Sequence, residues 1–205
     1  MERKKNSSKD EKKGRERGRK GPKPATPERL EKGALHYLER FASSSENLRR
    51  VLMRRVQRSA YLHGTDVDAG ARAVEDLIAR FRRSGLLDDG LYAEGRAASL
   101  HRQGKSQRAI RQALSVKGID AATADSALTA LDERVDGDVD LGAAVNYARR
   151  RRIGPWRRED LREAARDKDM AALARQGFGY DTARKVIEAD TVEALEIMLE
   201  EAVRE

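Results

Sequence analysis

The stretch "ALSVKGIDAATADSAL", residues 113–128, aligns without a gap on "ALARQGFGYDTARKVI", residues 172–187, at an offset of 59. Leu114 falls on Leu173, Gly118 on Gly177, Ile119 on Phe178, Ala124 on Ala183 and Leu128 on Ile187. The pattern has a direct physical reading. An apolar helix face ends on a glycine free to turn left-handed, an apolar residue folds back over the helix end, and a second helix begins. Residues 48–81 give a looser third copy, in which Arg55–Val56 stands near the place of the glycine and "QRSAYLHGTDVDAG" reads as a longer inserted loop. With a further helix before each copy, the chain is expected to hold three consecutive three-helix units. A unit of about 45 residues buries little apolar surface alone. The units should therefore stack into an elongated, curved array.

The flanking segments carry the same helical period. In "TPERLEKGALHYLERF" Thr26 can cap, Pro27 suits the first helical position, and Leu30, Ala34, Leu38 and Phe41 line one face. In "SSSENLRRVLMRRV" Ser43 stands three residues before Glu46, the spacing of a capping box, with Leu48, Leu52 and Val56 on a stripe. Val74, Leu77, Ile78 and Phe81 repeat the stripe, and Gly85 can close it. Two helices end on Gly104 and Gly118, Asp120 caps the next, and "DLGAAVNYARRRRIGPW" is stopped by Gly154–Pro155. "DMAALARQG", "YDTARKVIEA" and "TVEALEIMLEEA" complete the set, and no strand competes. The expectation is an all-α fold with a disordered basic tail over 1–26. Three-helix units follow over 27–88, 89–134 and 135–190, and an acidic helix over 191–205.

Composition agrees with that reading. Aromatic residues are only 4% of the chain and charged residues 38%, so the cores must be built from Leu, Ala, Val and Ile in thin helical layers. Cysteine is absent, which excludes disulfides and thiolate metal sites and fits a reducing cytoplasm. No run approaches the roughly 18 apolar residues of a membrane span, and the N-terminus lacks the apolar core of a secretory signal. A soluble cytoplasmic protein is expected.

Charge is unevenly placed. Residues 1–30 hold 12 Lys or Arg against 5 Asp or Glu, so the rest of the chain carries 31 against 30. The net charge of +8 therefore belongs almost wholly to the tail, which alone could attach non-specifically to nucleic acid. Within the body, however, three windows lack acids entirely: 47–65 with five Arg, 95–119 with six Lys or Arg, and 141–158 with six Arg. Each lies in a different unit. The compensating acids collect in 120–140 and 181–205. One such run is usually a solvated helix face, but stacked repeats can join three of them into a binding stripe. The candidate contacts are Arg54 and Arg55 in the first window; Arg102, Lys105, Arg108, Arg111 and Lys117 in the second; and Arg149, Arg150, Arg152, Arg157 and Arg158 in the third. Arg108 and Arg111 share an edge of their helix while Ile110, Ala113 and Leu114 face inward. Four consecutive arginines, 149–152, circle their helix and cannot all face one partner. Trp156 beside Gly-Pro reads as a packing anchor rather than a base-stacking platform.

Enzyme constellations are missing. No GxxxxGK[ST] or GxGxxG stretch occurs, His36, His63 and His101 lack metal-ligand spacing, and no serine sits in a nucleophile elbow. No catalytic activity and no cofactor are expected. Helical units with a basic stripe suit either nucleic acid, held through its phosphates, or an acidic groove on another protein. A helix-turn-helix operator binder is the alternative. The candidate recognition helices nevertheless carry few Asn, Gln or Ser side chains for base edges.

The residues that carry a family resemblance are "FRRSGLLDDGLYAEGRAASLHRQGKSQRAIRQALSVKGID" and "ARQGFGYDTARKVIE". With the "GLLDD…YAE" link, the "GKS…I…L…KGI" core and the closing "GF.YD", the chain from Leu35 to Glu188 resembles the RecX family of RecA regulators. The resemblance implies three tandem three-helix repeats binding along the groove of a RecA–single-stranded DNA filament, with duplex DNA left open as a further partner. It also implies damping of ATP hydrolysis, strand exchange and co-protease action without chemistry of its own, and a monomer is expected. Repeat one, with its insertion and missing glycine, departs from the pattern, as do the tail and the helix after Asp190.

Overall fold

The computed structural model describes residues 22–204, and these form ten α-helices with no strand among them. In chain order they are α1 (Pro27–Leu38), α2 (Ser45–His63), α3 (Val67–Arg83), α4 (Asp89–Arg102) and α5 (Gln107–Val116). They continue with α6 (Ala121–Asp132), α7 (Val139–Arg151), α8 (Arg162–Arg175), α9 (Tyr180–Ile187) and α10 (Val192–Arg204). Short 3₁₀ turns at Gly154–Trp156 and Glu159–Leu161 link α7 to α8.

Three separate cores divide the helices into three groups of three. Leu30 of α1, Leu48, Leu52 and Val56 of α2, and Val74, Ile78 and Phe81 of α3 close the first. Ala93 and Ala97 of α4, Ile110 and Leu114 of α5, and Ala124 and Leu128 of α6 close the second. Ala144 and Ala148 of α7, Leu173 of α8, and Ala183 and Val186 of α9 close the third, which Leu195 of α10 extends. Small alanines let the helices approach. Each buried Leu or Ile adds about 2 kcal/mol of transfer free energy.

The glycine joints behave as their spacing requires. Gly118 (φ 77°) and Gly177 (φ 97°) are left-handed, and the amide N–H groups of Ile119 and Phe178 donate to the carbonyls of Leu114 and Leu173. That is the six-to-one bond of a Schellman end, with the apolar residue folded over the helix. The same end recurs on α4 at Gly104 and on α7, where Arg152 (φ 52°) takes the glycine's place and Ile153 folds back.

Five expectations are corrected. "QRSAYLH" is no loop: α2 continues through it to His63 and ends on Gly64 (φ 65°), so the first unit has its left-handed glycine two turns late. Nothing in that segment breaks a helix, and Ser59 continues the buried stripe of Leu52 and Val56. The cap of α2 is Ser44, whose Oγ accepts from the Asn47 amide, so the box of Ser43 with Glu46 does not form. Phe41 lies outside α1 and exposed, its ring 5.2 Å from that of Tyr37. Helix α7 ends at Arg151, before Gly154–Pro155, and α8 begins at Arg162, a turn and more earlier than its apolar period suggests. Arg162 makes that start possible by donating to the carbonyls of Arg157, Pro155 and Asp190. Of the expected tail, 1–21 lies outside the described residues. Residues 22–26 lie against α2, with the Ala25 amide donating to Ser59 Oγ at 2.9 Å.

Candidate binding surface

The middle helices of the three units, α2, α5 and α8, meet end to end through two joints built alike. At the first, Ser44 Oγ donates to the Lys117 carbonyl at the end of α5 (2.5 Å), and the Ser45 amide donates to the Asp89 carboxylate at the start of α4 (2.7 Å). At the second, Ser106 Oγ donates to the Gln176 carbonyl at the end of α8 (3.2 Å), and the Gln107 amide donates to the Asp140 carboxylate near the start of α7 (2.8 Å). Each serine also accepts from its own helix, Ser44 from Asn47 and Ser106 from Ala109. One hydroxyl thus satisfies a free N–H of one helix and a free C=O of the next. The negative end of one helix dipole faces the positive end of another.

The joints also explain the two repeat glycines more fully. A Cβ on Gly118 would strike the Glu46 side chain, and one on Gly177 would strike Ser106 Oγ and the Cβ of Ala109. The left-handed turn and the close approach of the neighbouring unit both require glycine there.

Basic side chains gather at these joints. Lys117 Nζ donates to Asn47 Oδ1 (3.2 Å), and Arg50 reaches the Val116 carbonyl (2.8 Å). Lys105 Nζ donates to Gln176 Oε1 (2.7 Å), Arg150 donates to the Gln103 carbonyl, and Arg151 lies 5.8 Å over the ring of Tyr147. Part of the acid depletion in the sequence windows therefore has a structural cause. Helix C-terminal carbonyls converge there, and Arg50 and Arg150 satisfy two of them where carboxylates would repel.

Acid-free in sequence is not acid-free in space. Arg111 pairs with Asp125 (2.8 Å), Arg149 with Glu196 (3.7 Å) and Arg158 with Asp160 (2.7 Å). Arg149 also lies over Trp156, which packs half-buried against the third core. Arg157 forks onto Asp169 at 2.7 and 3.0 Å, and the Asp169 side chain is only 4% exposed. Arg54, Arg102, Arg108 and Arg152 are exposed and engage no acid among the described residues. Arg55 rests against the bare backbone of Gly33 on α1. The candidates thus sort into joint residues (Lys105, Lys117, Arg150), internally paired arginines (Arg111, Arg149, Arg157, Arg158) and outward ones. The structure brings Lys105 and Arg150 to one joint with Gly104 between, and leaves Arg54 and Arg55 on the first unit.

Two joint carboxyls depart from their ordinary behaviour. Hydrogen bonds from Arg49, and then Arg50, hold Glu46 below the usual value against the opposing effect of burial. Burial pushes Asp140 up, and the Gln107 amide only partly offsets it. Sequence reasoning missed Ser44, Asp89, Asp140 and Gln176 as joint residues. The available signal was an Asp near the start of α4 and of α7, with a Ser just before α2 and α5.

No described helix is long and apolar enough to cross a membrane. Among the described residues no group of His, Asp and Glu is placed to hold a metal ion.

Comparison with known proteins adds the following. Residues 88–128, which span α4, α5 and most of α6, match the family model for RecX, second three-helix domain. The regulatory protein RecX of Myxococcus xanthus (strain DK1622) is 43% identical over 178 residues, which cover 86% of this chain and 93% of that protein. The regulatory protein RecX of Agrobacterium fabrum (strain C58 / ATCC 33970) is 34% identical over 166 residues, 80% of this chain and 85% of that one. The crystal structure of RecX from Lactobacillus salivarius is similar in fold, with a TM-score of 0.54 at 20% identity over 79% of this chain and 94% of that chain.

Proposed function

This chain belongs to the RecX family, and from that membership we propose that it is a negative regulator of RecA, acting along the RecA–single-stranded DNA filament. It works as a cytoplasmic monomer, with 27–88, 89–134 and 135–190 as its repeating units. Lying in the filament groove, it spans neighbouring RecA subunits and restrains ATP hydrolysis, strand exchange and co-protease action. It performs no bond chemistry of its own.

The observation that carries the reading is that all three units present arginines with no acid partner among the described residues: Arg54 on the first, Arg102 and Arg108 on the second, Arg152 on the third. A binder that follows a periodic filament needs contacts in every unit, and the joints set the spacing between them. Phosphate contacts from such arginines give affinity without reading bases.

The test is a filament-binding measurement with Arg102→Glu and Arg108→Glu combined, since neither change breaks an ion pair seen in the fold. Affinity for RecA filaments is expected to fall by about tenfold or more with helicity unchanged. Unaltered binding removes the second unit from the interface. Tight binding of one duplex sequence without RecA replaces the proposal with an operator-binding function.

A further inference from the structure

The first unit contains a cleft of about 290 Å³ between residues 22–25 and α2. Four cationic side chains line it, Lys23, Arg29, Arg55 and Arg58, with His63 beside them, and no Asp or Glu among the described residues does. Apolar surface in its lining comes from Pro22, Pro24, Ala25 and Leu62.

The cleft is built rather than incidental. Ala25 is hydrogen-bonded to the buried Ser59 hydroxyl, Arg29 donates to the Pro24 carbonyl at 3.1 Å, and His63 Nε2 lies 2.7 Å from the Pro22 carbonyl. These bonds fix the outer wall on α1 and α2. Arg55 and Arg58 are one turn apart on the same face. Arg55 has its place because Gly33 carries no side chain: a Cβ there would run into the Arg55 guanidinium. None of the four cations forms an ion pair with an acid among the described residues. Like charges held together in a low-dielectric recess raise the local concentration of an anion.

We propose that this cleft binds one nucleotide unit of single-stranded nucleic acid, its phosphate on Arg55 and Arg58 and its sugar or base against the apolar wall. Guanidinium forks match phosphate geometry, and the joined apolar surface suits a nucleoside better than a carboxylate side chain, which has nothing to bury. The inference rests on the nucleic-acid half of the function proposed above. It is independent of any contact with RecA.

The experiment measures binding of the full chain to fluorescent oligo-dT across salt, without RecA, beside dTMP and polyglutamate as competing probes. Two variants are compared with wild type. Arg55→Gln with Arg58→Gln removes the charges, whereas Gly33→Ala keeps every charge and displaces the Arg55 head. Both are expected to weaken oligo-dT binding, the double variant by about tenfold. The double variant should also lower the slope of log affinity against log salt by at least about 0.7, the worth of one phosphate contact on a single strand. Thermal melting checks that Gly33→Ala leaves the fold intact. Wild-type affinity in both variants overturns the proposal, as does equal competition by polyglutamate. Competition by dTMP as strong as by oligo-dT replaces the polymer with a free nucleotide and overturns it as stated. RecA ATPase, measured in parallel, separates the two ideas. Inhibition by a chain that binds no DNA sinks the cleft alone, and DNA binding without inhibition sinks the regulator alone.

Discussion

Arg152 is the one non-glycine among the described residues with a left-handed backbone, φ 52°. An L side chain pays about 1 kcal/mol for that conformation, and glycine does not. Arg152→Gly should therefore raise stability by about 1 kcal/mol, read as a melting temperature higher by about 2–4 °C. If the arginine serves the filament contact, the same variant binds filaments more weakly, so stability and function move in opposite directions. Arg157 contrasts with it. The basic run 149–158 made both look like outward contacts, because a sequence shows a charge and hides its partner. Asp169, twelve residues on, holds the Arg157 guanidinium. Arg157→Ala leaves a buried carboxylate unpaired and should cost about 3 kcal/mol in denaturant unfolding, the low end for such a pair since Arg157 keeps 25% of its side chain exposed. A loss under about 1 kcal/mol would show that water replaces the arginine.

At the scale of elements, the account turns on the two joints. Gly118→Ala and Gly177→Ala each combine a strained left-handed backbone with a collision across the joint, so each should destabilise by about 2 kcal/mol or more. Ser44→Ala and Ser106→Ala remove a cap and a joint bond together and should cost about 1–2 kcal/mol in thermal unfolding. Acid should separate the joints. Glu46, with its folded pKa lowered, adds stability that is complete above the ordinary 4.5 and is lost as pH falls through the lower folded value. Asp140 has its folded pKa raised, so its charge costs stability at neutral pH, and protonation relieves that cost as pH falls. Amide exchange around Ser44 and Gly118 should accelerate below about pH 4.5 before that around Ser106 and Gly177. The helices were legible because apolar period and glycine stops are local. The joints were not, since Ser44–Lys117 and Ser106–Gln176 pair residues far apart in sequence. The helical extension of α2 was misread for a related reason: Gly64 does the work that the alignment sought near Arg55–Val56.

For the molecule as a whole, the gap-free match of 113–128 with 172–187 was enough to announce repeated three-helix units, and three separate cores bear this out. The binding face was less legible, because acid-free windows mix several causes. Some cations serve the joints, some pair with acids distant in sequence, and others engage no acid among the described residues. Of the candidate contacts, Arg54, Arg55, Arg102, Arg108 and Arg152 fall in the last group. The most direct measurement is the rate of RecA ATP hydrolysis on single-stranded DNA with this protein added up to a stoichiometric amount. The rate should fall, and the Arg102→Glu, Arg108→Glu variant should largely restore it. A rate unchanged by the wild-type protein would contradict regulation of the filament.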